Sequence, residues 1–62
     1  MVNIIIQGIA GRMGHVLCDM IAQRTDCRVL AGIDQADGAV NGIPVYDSLD
    51  KLDGQGDVLI DF

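Results

Sequence analysis

The hydrophobic pattern opens with three isoleucines in a row, Ile4-Ile5-Ile6, flanked by Val2 and Asn3 on one side and by Gln7 and Gly8 on the other. A continuous β-branched run predicts a strand from Val2 to Gln7, buried on both faces as in the middle of a parallel sheet. The period then changes. Met13, Val16, Leu17, Met20 and Ile21 fall at i, i+3, i+4, i+7 and i+8, one apolar stripe at the helical repeat. This spacing predicts a helix from Arg12 to about Arg24, with the methionines as core filler. His15, Asp19 and Gln23 lie off the stripe, and His15 reads as an ordinary exposed histidine rather than a catalytic base. After a turn at Thr25-Asp26, the apolar stretch from Cys27 to Ile33 predicts a second strand. Strand, helix and strand within about thirty residues make one crossover unit with parallel strands. The carboxyl ends of both strands then share one edge of the sheet.

Between the first strand and the helix lie three glycines at three-residue spacing, Gly8-Ile9-Ala10-Gly11-Arg12-Met13-Gly14. A strand that feeds a helix through such a turn is how doubly wound α/β proteins hold the pyrophosphate of a dinucleotide. Gly8 would let the chain leave the strand with backbone angles that a Cβ forbids. Gly11 would let a phosphate approach the main chain, and Gly14 would let the helix pack closely. The helix N-terminus would offer unpaired N–H groups and the positive end of its dipole. Asp34 follows at the carboxyl end of the second strand, where dinucleotide folds place the acid that receives the adenosine ribose hydroxyls. Asp37 is a second acid in the same loop, but the strand-end position favours Asp34.

Further along, Asp37-Gly38 and Asn41-Gly42 punctuate a turn-like stretch from Gln35 to Gly42. Ile43 to Tyr46 reads as a short extended piece, and Pro44 within it predicts a sheet edge. Asp47 or Ser48 would cap a single helical turn through Leu52, with Leu49 and Leu52 facing inward. Asp53 to Gly56 reads as a loop, and Asp57 to Phe62 as a last strand. The fold class is therefore α/β, a Rossmann-like parallel sheet with flanking helices. One good helix and one stub leave such a sheet uncovered. Residues 1–62 thus read as the N-terminal portion of a longer NAD(P)-binding domain, with the strand at position 2 leaving no room for a leader.

Composition narrows the partners. Sixty-two residues make at most one small domain, and a chain that is half hydrophobic suits a piece of a larger core. A net charge of −5 with four basic residues argues against nucleic acid and anionic membranes. A dinucleotide stays open, because backbone N–H groups can meet its two phosphates. Cys18 and Cys27 are too few for a disulfide framework and lack metal-ligand spacing, so a reduced pair and no metal site are expected. With no signal-like or membrane-length apolar run, a soluble, cytoplasmic protein is expected.

The segment from Gly8 to Gly14, with Arg12-Met13 between the last two glycines, resembles the opening signature of the dihydrodipicolinate reductase (4-hydroxy-tetrahydrodipicolinate reductase) family. The resemblance continues through Ala31-Gly32-Ile33-Asp34, Ile43-Pro44-Val45-Tyr46, Ser48-Leu49 and Asp57-Val58-Leu59-Ile60-Asp61-Phe62. It implies a cytosolic oxidoreductase of diaminopimelate and lysine biosynthesis, in which hydride passes from NADH or NADPH to a cyclic substrate and a proton is added. Carried over by position, Gly8, Gly11, Arg12, Met13 and Gly14 form the pyrophosphate loop, and Asp34 is the ribose acid. The family's nicotinamide loop, its catalytic histidine pair and lysine, and the C-terminal domain that builds its homotetramers all lie beyond Phe62. No catalytic residue is therefore assigned, and the 62 residues alone are expected to be inactive. Gln35 stands where some members have an arginine for a 2′-phosphate, so NADH is expected over NADPH, with Arg12 as a partial offset. Two other readings use similar features. An extended short-chain dehydrogenase or epimerase shares the glycine spacing, although it usually has threonine where this chain has Gln7 and no Arg-Met pair. A non-catalytic dinucleotide-sensing module could use the same fold.

Overall fold

The computed structural model describes residues 1–35, 38–40, 42–52 and 56–61. Its elements are β1 (Val2–Gln7), α1 (Arg12–Ala22), β2 (Cys27–Ile33), β3 (Gly38–Val40), β4 (Ile43–Tyr46), a 3₁₀ turn (Leu49–Lys51) and β5 (Val58–Asp61). The strands form one sheet in the order β3-β4-β2-β1-β5. β1 runs parallel to β2 and β5, and β2 runs parallel to β4. β3 is antiparallel to β4, which makes the sheet mixed. The architecture is the α/β, Rossmann-like one expected. Asp37, Asn41, the loop positions Asp53 to Gln55, and Phe62 lie outside the described residues.

β1 is central, and the isoleucine run explains why. Ile4 and Ile6 join Ile9, Cys18, Ile21 and Val45 in the core between the sheet and α1. Ile5, one residue out of phase, points to the opposite face and is buried there as well, beside Leu49, Leu52 and Leu59. β1 and β2 keep a steady parallel register until Ile4 pairs with Val29 and Ile5 with Ala31. The shift leaves Leu30 without an opposite number.

Several expectations need correction. Of the predicted stripe, Leu17 and Ile21 dock together with Gly14 and Cys18, whereas Met13, Val16 and Met20 face outward. Met13 and Met20 are 59% and 61% exposed, so they are not core filler. Gly14, which contributes nothing to a hydrophobic pattern, lies on the contact face, where its backbone meets that of Ile9 in the loop before the helix. The α-helix also closes at Ala22. Gln23 and Arg24 continue with the tighter i→i−3 bonds to Met20 and Ile21, 3.3 and 2.9 Å.

The stretch expected to be a turn contains β3, a three-residue strand paired antiparallel to β4 with Ala39 opposite Pro44. Pro44 consequently lies on an inner strand instead of at the edge. The missing N–H is tolerated because the β4 ladder to β2 begins only at Val45. Ser48 caps the 3₁₀ turn, its Oγ accepting from the Asp50 N–H at 3.2 Å. Leu52 is half-buried as expected, but Leu49 is half exposed, although both lie on the Ile5 face of the sheet.

Candidate functional site

The parallel strands finish level. Gln7 at the end of β1 pairs with Ile33 at the end of β2 and with Asp61 at the end of β5, while Ile33 pairs with Tyr46 of β4. The ladder extends one step further, with Gly8 N–H donating to Ile33 O at 2.7 Å and Asp34 N–H to Tyr46 O at 2.9 Å. β1 is where the chain reverses its order in the sheet, since β2 and β4 lie on one side of it and β5 on the other. Open α/β sheets form ligand crevices at that place, outside the carboxyl ends of the strands.

The glycine turn occupies this edge. Gly8 has φ 85°, a conformation that a side chain would strain. Gly11 donates to Gly8 O at 3.1 Å and stands at the helix N-cap without any side-chain cap. The first helical bond there runs from His15 N–H to Gly11 O, 3.1 Å. The amides of Arg12, Met13 and Gly14 therefore come before the helical ladder begins and carry the positive end of the dipole. A Cβ on Gly11 would meet Gly8 O at 3.3 Å. Among the described residues, Arg12 has no ion-pair partner. This donor set fits a phosphate group.

Gly14 has a different role. A Cβ there would lie 2.6 Å from both the backbone C and Cα of Ile9, so the helix and the loop are in main-chain contact. Ile9 is fully buried and plugs the turn from beneath. Its side chain is matched by Gly32 on β2, where a Cβ would come within 2.6 and 2.8 Å of Ile9 Cδ1 and Cβ. Sequence reasoning passed over Ile9 and Gly32. The signal for Gly32 was present, because a lone glycine inside an apolar strand marks close approach.

Asp34 is half-buried just beyond β2 and is bound to the turn directly. Its Oδ2 accepts from Ala10 N–H at 3.0 Å and its Oδ1 from Gln35 N–H at 2.7 Å. The structure thus brings the proposed ribose acid and the glycine turn together through Ala10, a residue the motif alone does not single out. Gln7, Gly8, Ile33, Asp34, Gln35, Asp47 and Asp61 line an open cleft of about 390 Å³ along the strand ends. Three of these seven are carboxylates. Lys51 lies 2.7 Å from Asp47 and holds its carboxyl below the usual range by hydrogen bond and charge. His15 is exposed on α1.

With this geometry, a family model decides the relationship. Residues 2–62 match the model described as dihydrodipicolinate reductase, N-terminus. The chain belongs to the dihydrodipicolinate reductase family. It is 37% identical over 67 aligned positions to the 4-hydroxy-tetrahydrodipicolinate reductase of Methanospirillum hungatei, covering all of this chain and 26% of that protein. The enzymes of the same name from Burkholderia ambifaria and Clostridium botulinum are 32% and 31% identical, with 97% and 100% of this chain covered and 27% and 24% of theirs. The chain spans about a quarter of the length of these curated relatives. No solved structure gives a significant match. The match to this N-terminal family model implies a nicotinamide dinucleotide cofactor, and the epimerase and sensor readings are not favoured. No helix among the described residues is long and apolar enough to cross a membrane.

Proposed function

We propose that this chain is the opening part of the cofactor domain of a reductase that transfers hydride from NAD(P)H to the dihydrodipicolinate precursor. The carrying observation is the meeting, at the carboxyl edge of the sheet, of an uncapped helix N-terminus and an acid bonded to the turn before it. Gly8 shapes the turn, Gly11 leaves room for the pyrophosphate, and the amides of Arg12, Met13 and Gly14 receive its oxygens. The Arg12 guanidinium adds a charge-assisted contact. Asp34 receives the adenosine ribose hydroxyls. The bound dinucleotide supplies the hydride; these residues bind and orient it. Residues beyond this stretch complete the catalytic site, so the 62 residues alone reduce no substrate. The full-length protein is read as a cytoplasmic homotetramer of the lysine and diaminopimelate pathway.

NADH is preferred in this reading. Two backbone N–H groups fix the Asp34 carboxylate, so a 2′-phosphate would meet an anchored negative charge, with neutral Gln35 beside it. Asp47 and Asp61 along the same cleft add to the repulsion. Titrating NADH and NADPH against the chain, read by nicotinamide fluorescence, tests this. NADH binding at least about tenfold tighter is expected, a difference of roughly 1.4 kcal/mol. Tighter NADPH binding would overturn the preference. No binding of either by a chain folded by circular dichroism would overturn the cofactor reading.

A further inference from the structure

The amides of the glycine turn are not equally available. Gly8 N–H is taken by Ile33 O and Gly11 N–H by Gly8 O, both main-chain partners. Ala10 is exposed at the tip of the turn, and its N–H reaches across to a side chain, Asp34 Oδ2, at 3.0 Å. The second oxygen of that carboxylate is held by Gln35 N–H, which fixes its plane. A charged acceptor on a backbone N–H is among the stronger hydrogen bonds. Here it ties the end of β2 to the turn that follows β1, 24 residues earlier. Below the tip, Ile9 is clamped between Gly14 and Gly32. The turn is thus pinned from beneath by packing and from the side by Asp34.

We infer that Asp34 is a positioning residue for the phosphate-binding turn, holding Ala10 N–H so that the turn is shaped before any ligand arrives. Its effect on binding rests on the dinucleotide reading above. By occupying Ala10, Asp34 leaves the first-turn amides of α1 as the donors open to an anion. Ribose recognition and phosphate recognition then share one carboxylate. Losing the ribose contact and losing the shape of the turn become the same event.

Two readouts on the whole chain test this without relying on NADH, whose affinity falls when Asp34 is removed under either view. The first is amide hydrogen exchange in the absence of ligand, comparing wild type, Asp34→Ala and Asp34→Asn. The Asn variant keeps one acceptor oxygen for Ala10, whereas Ala keeps none. Ala10 exchange should accelerate about tenfold or more in Asp34→Ala and stay within about threefold of wild type in Asp34→Asn. The second readout is the affinity for inorganic pyrophosphate, where the two views differ in sign. Simple charge removal beside an anion site should tighten pyrophosphate binding in both variants. Loss of positioning should weaken it, by about threefold or more, in Asp34→Ala alone, while Asp34→Asn binds as well as wild type or better. Equal exchange at Ala10 in all three proteins, or tighter pyrophosphate binding by Asp34→Ala, would overturn the inference. If wild type binds neither pyrophosphate nor NADH, the cofactor reading falls, and the exchange comparison still judges the positioning role.

Discussion

Gly14 offers a test in which two physical effects pull in opposite directions. As the third residue of α1, it occupies a place where intrinsic propensity favours alanine over glycine by up to about 1 kcal/mol. The added methyl, however, would sit 2.6 Å from the backbone C and Cα of Ile9. Ordinary carbon contacts lie near 3.5–4.0 Å, and no side-chain rotation relieves a main-chain clash. The helix or the turn must therefore back away by about 1 Å, loosening Leu17, Cys18 and Ile21 from Ile4 and Ile6. Overpacking of this kind costs roughly 1–3 kcal/mol, occasionally more. The net expectation for Gly14→Ala is a loss of about 1–2 kcal/mol. A domain of this size holds only roughly 3–9 kcal/mol in total. Urea unfolding followed by circular dichroism should show the midpoint falling by roughly 1–2 M, taking m near 1 kcal/mol/M for a small domain. Gly11→Ala is the control. Its φ of −77° suits any residue, and its Cβ would meet only Gly8 O, at 3.3 Å. Loss of a glycine N-cap makes it the milder change, about 0.5–1 kcal/mol, with its larger effect on anion affinity. A Gly14→Ala protein as stable as wild type, or a Gly11→Ala protein less stable than Gly14→Ala, would refute the assignment of Gly14 to packing and Gly11 to ligand access.

Gly32→Ala should destabilise wild type by about 1–3 kcal/mol but be neutral or stabilising in an Ile9→Ala background, because its clash is with the Ile9 side chain; additive effects in a urea double-mutant cycle would contradict this. Arg24 donates two hydrogen bonds to Asp26 and lowers its pKa to about 2. A depressed folded-state value means that the contribution of this pair is present above the ordinary carboxylate range and is lost as pH falls from about 4 through about 2. Carboxyl NMR titration should show the Asp26 midpoint rising in Arg24→Gln, and because both groups are exposed the effect on stability should be small and fade in salt. Cys18 is buried, and desolvation followed by the charge of Asp19 pushes its thiol pKa up. Alkylation followed by mass spectrometry should therefore modify half-buried Cys27 first, and faster labelling of Cys18 would contradict the packing of α1.

The strands β1 and β2 were readable because their signal is local: the isoleucine run Ile4-Ile5-Ile6 and the continuous apolar stretch from Val29 to Ile33 both suit strands buried on two faces. The glycine turn and Asp34 were readable for a similar reason, since their spacing puts them on one sheet edge once strand and helix are recognised. The face of α1 was not. Two overlapping stripes run along Arg12–Ala22, and a hydrophobicity pattern cannot choose the one containing Gly14, whose importance lies in having no side chain. β3 escaped because three small residues between turn-forming neighbours carry no period of their own; their strand state comes from pairing with β4. Pro44 misled for the same reason, since the consequence of a missing N–H depends on where the neighbouring ladder starts. Ala10 joins the candidate site through its amide, and a backbone donor leaves no mark in side-chain chemistry.

The unpaired Leu30 has a larger effect than its place far from the cleft suggests. β2 uses seven residues to travel as far as β1 travels with six, yet the two arrive together at Gln7 and Ile33. The additional residue works as a phase correction. It restores the alternation so that Gly32 comes beneath Ile9 and the next position past the strand, Asp34, arrives beside Ala10. A substitution at Leu30 leaves this count intact, whereas a deletion would draw Asp34 back by one strand step, about 3.3 Å, and present the wrong face of β2 to the turn. For this strand, residue number is a tighter constraint than residue identity.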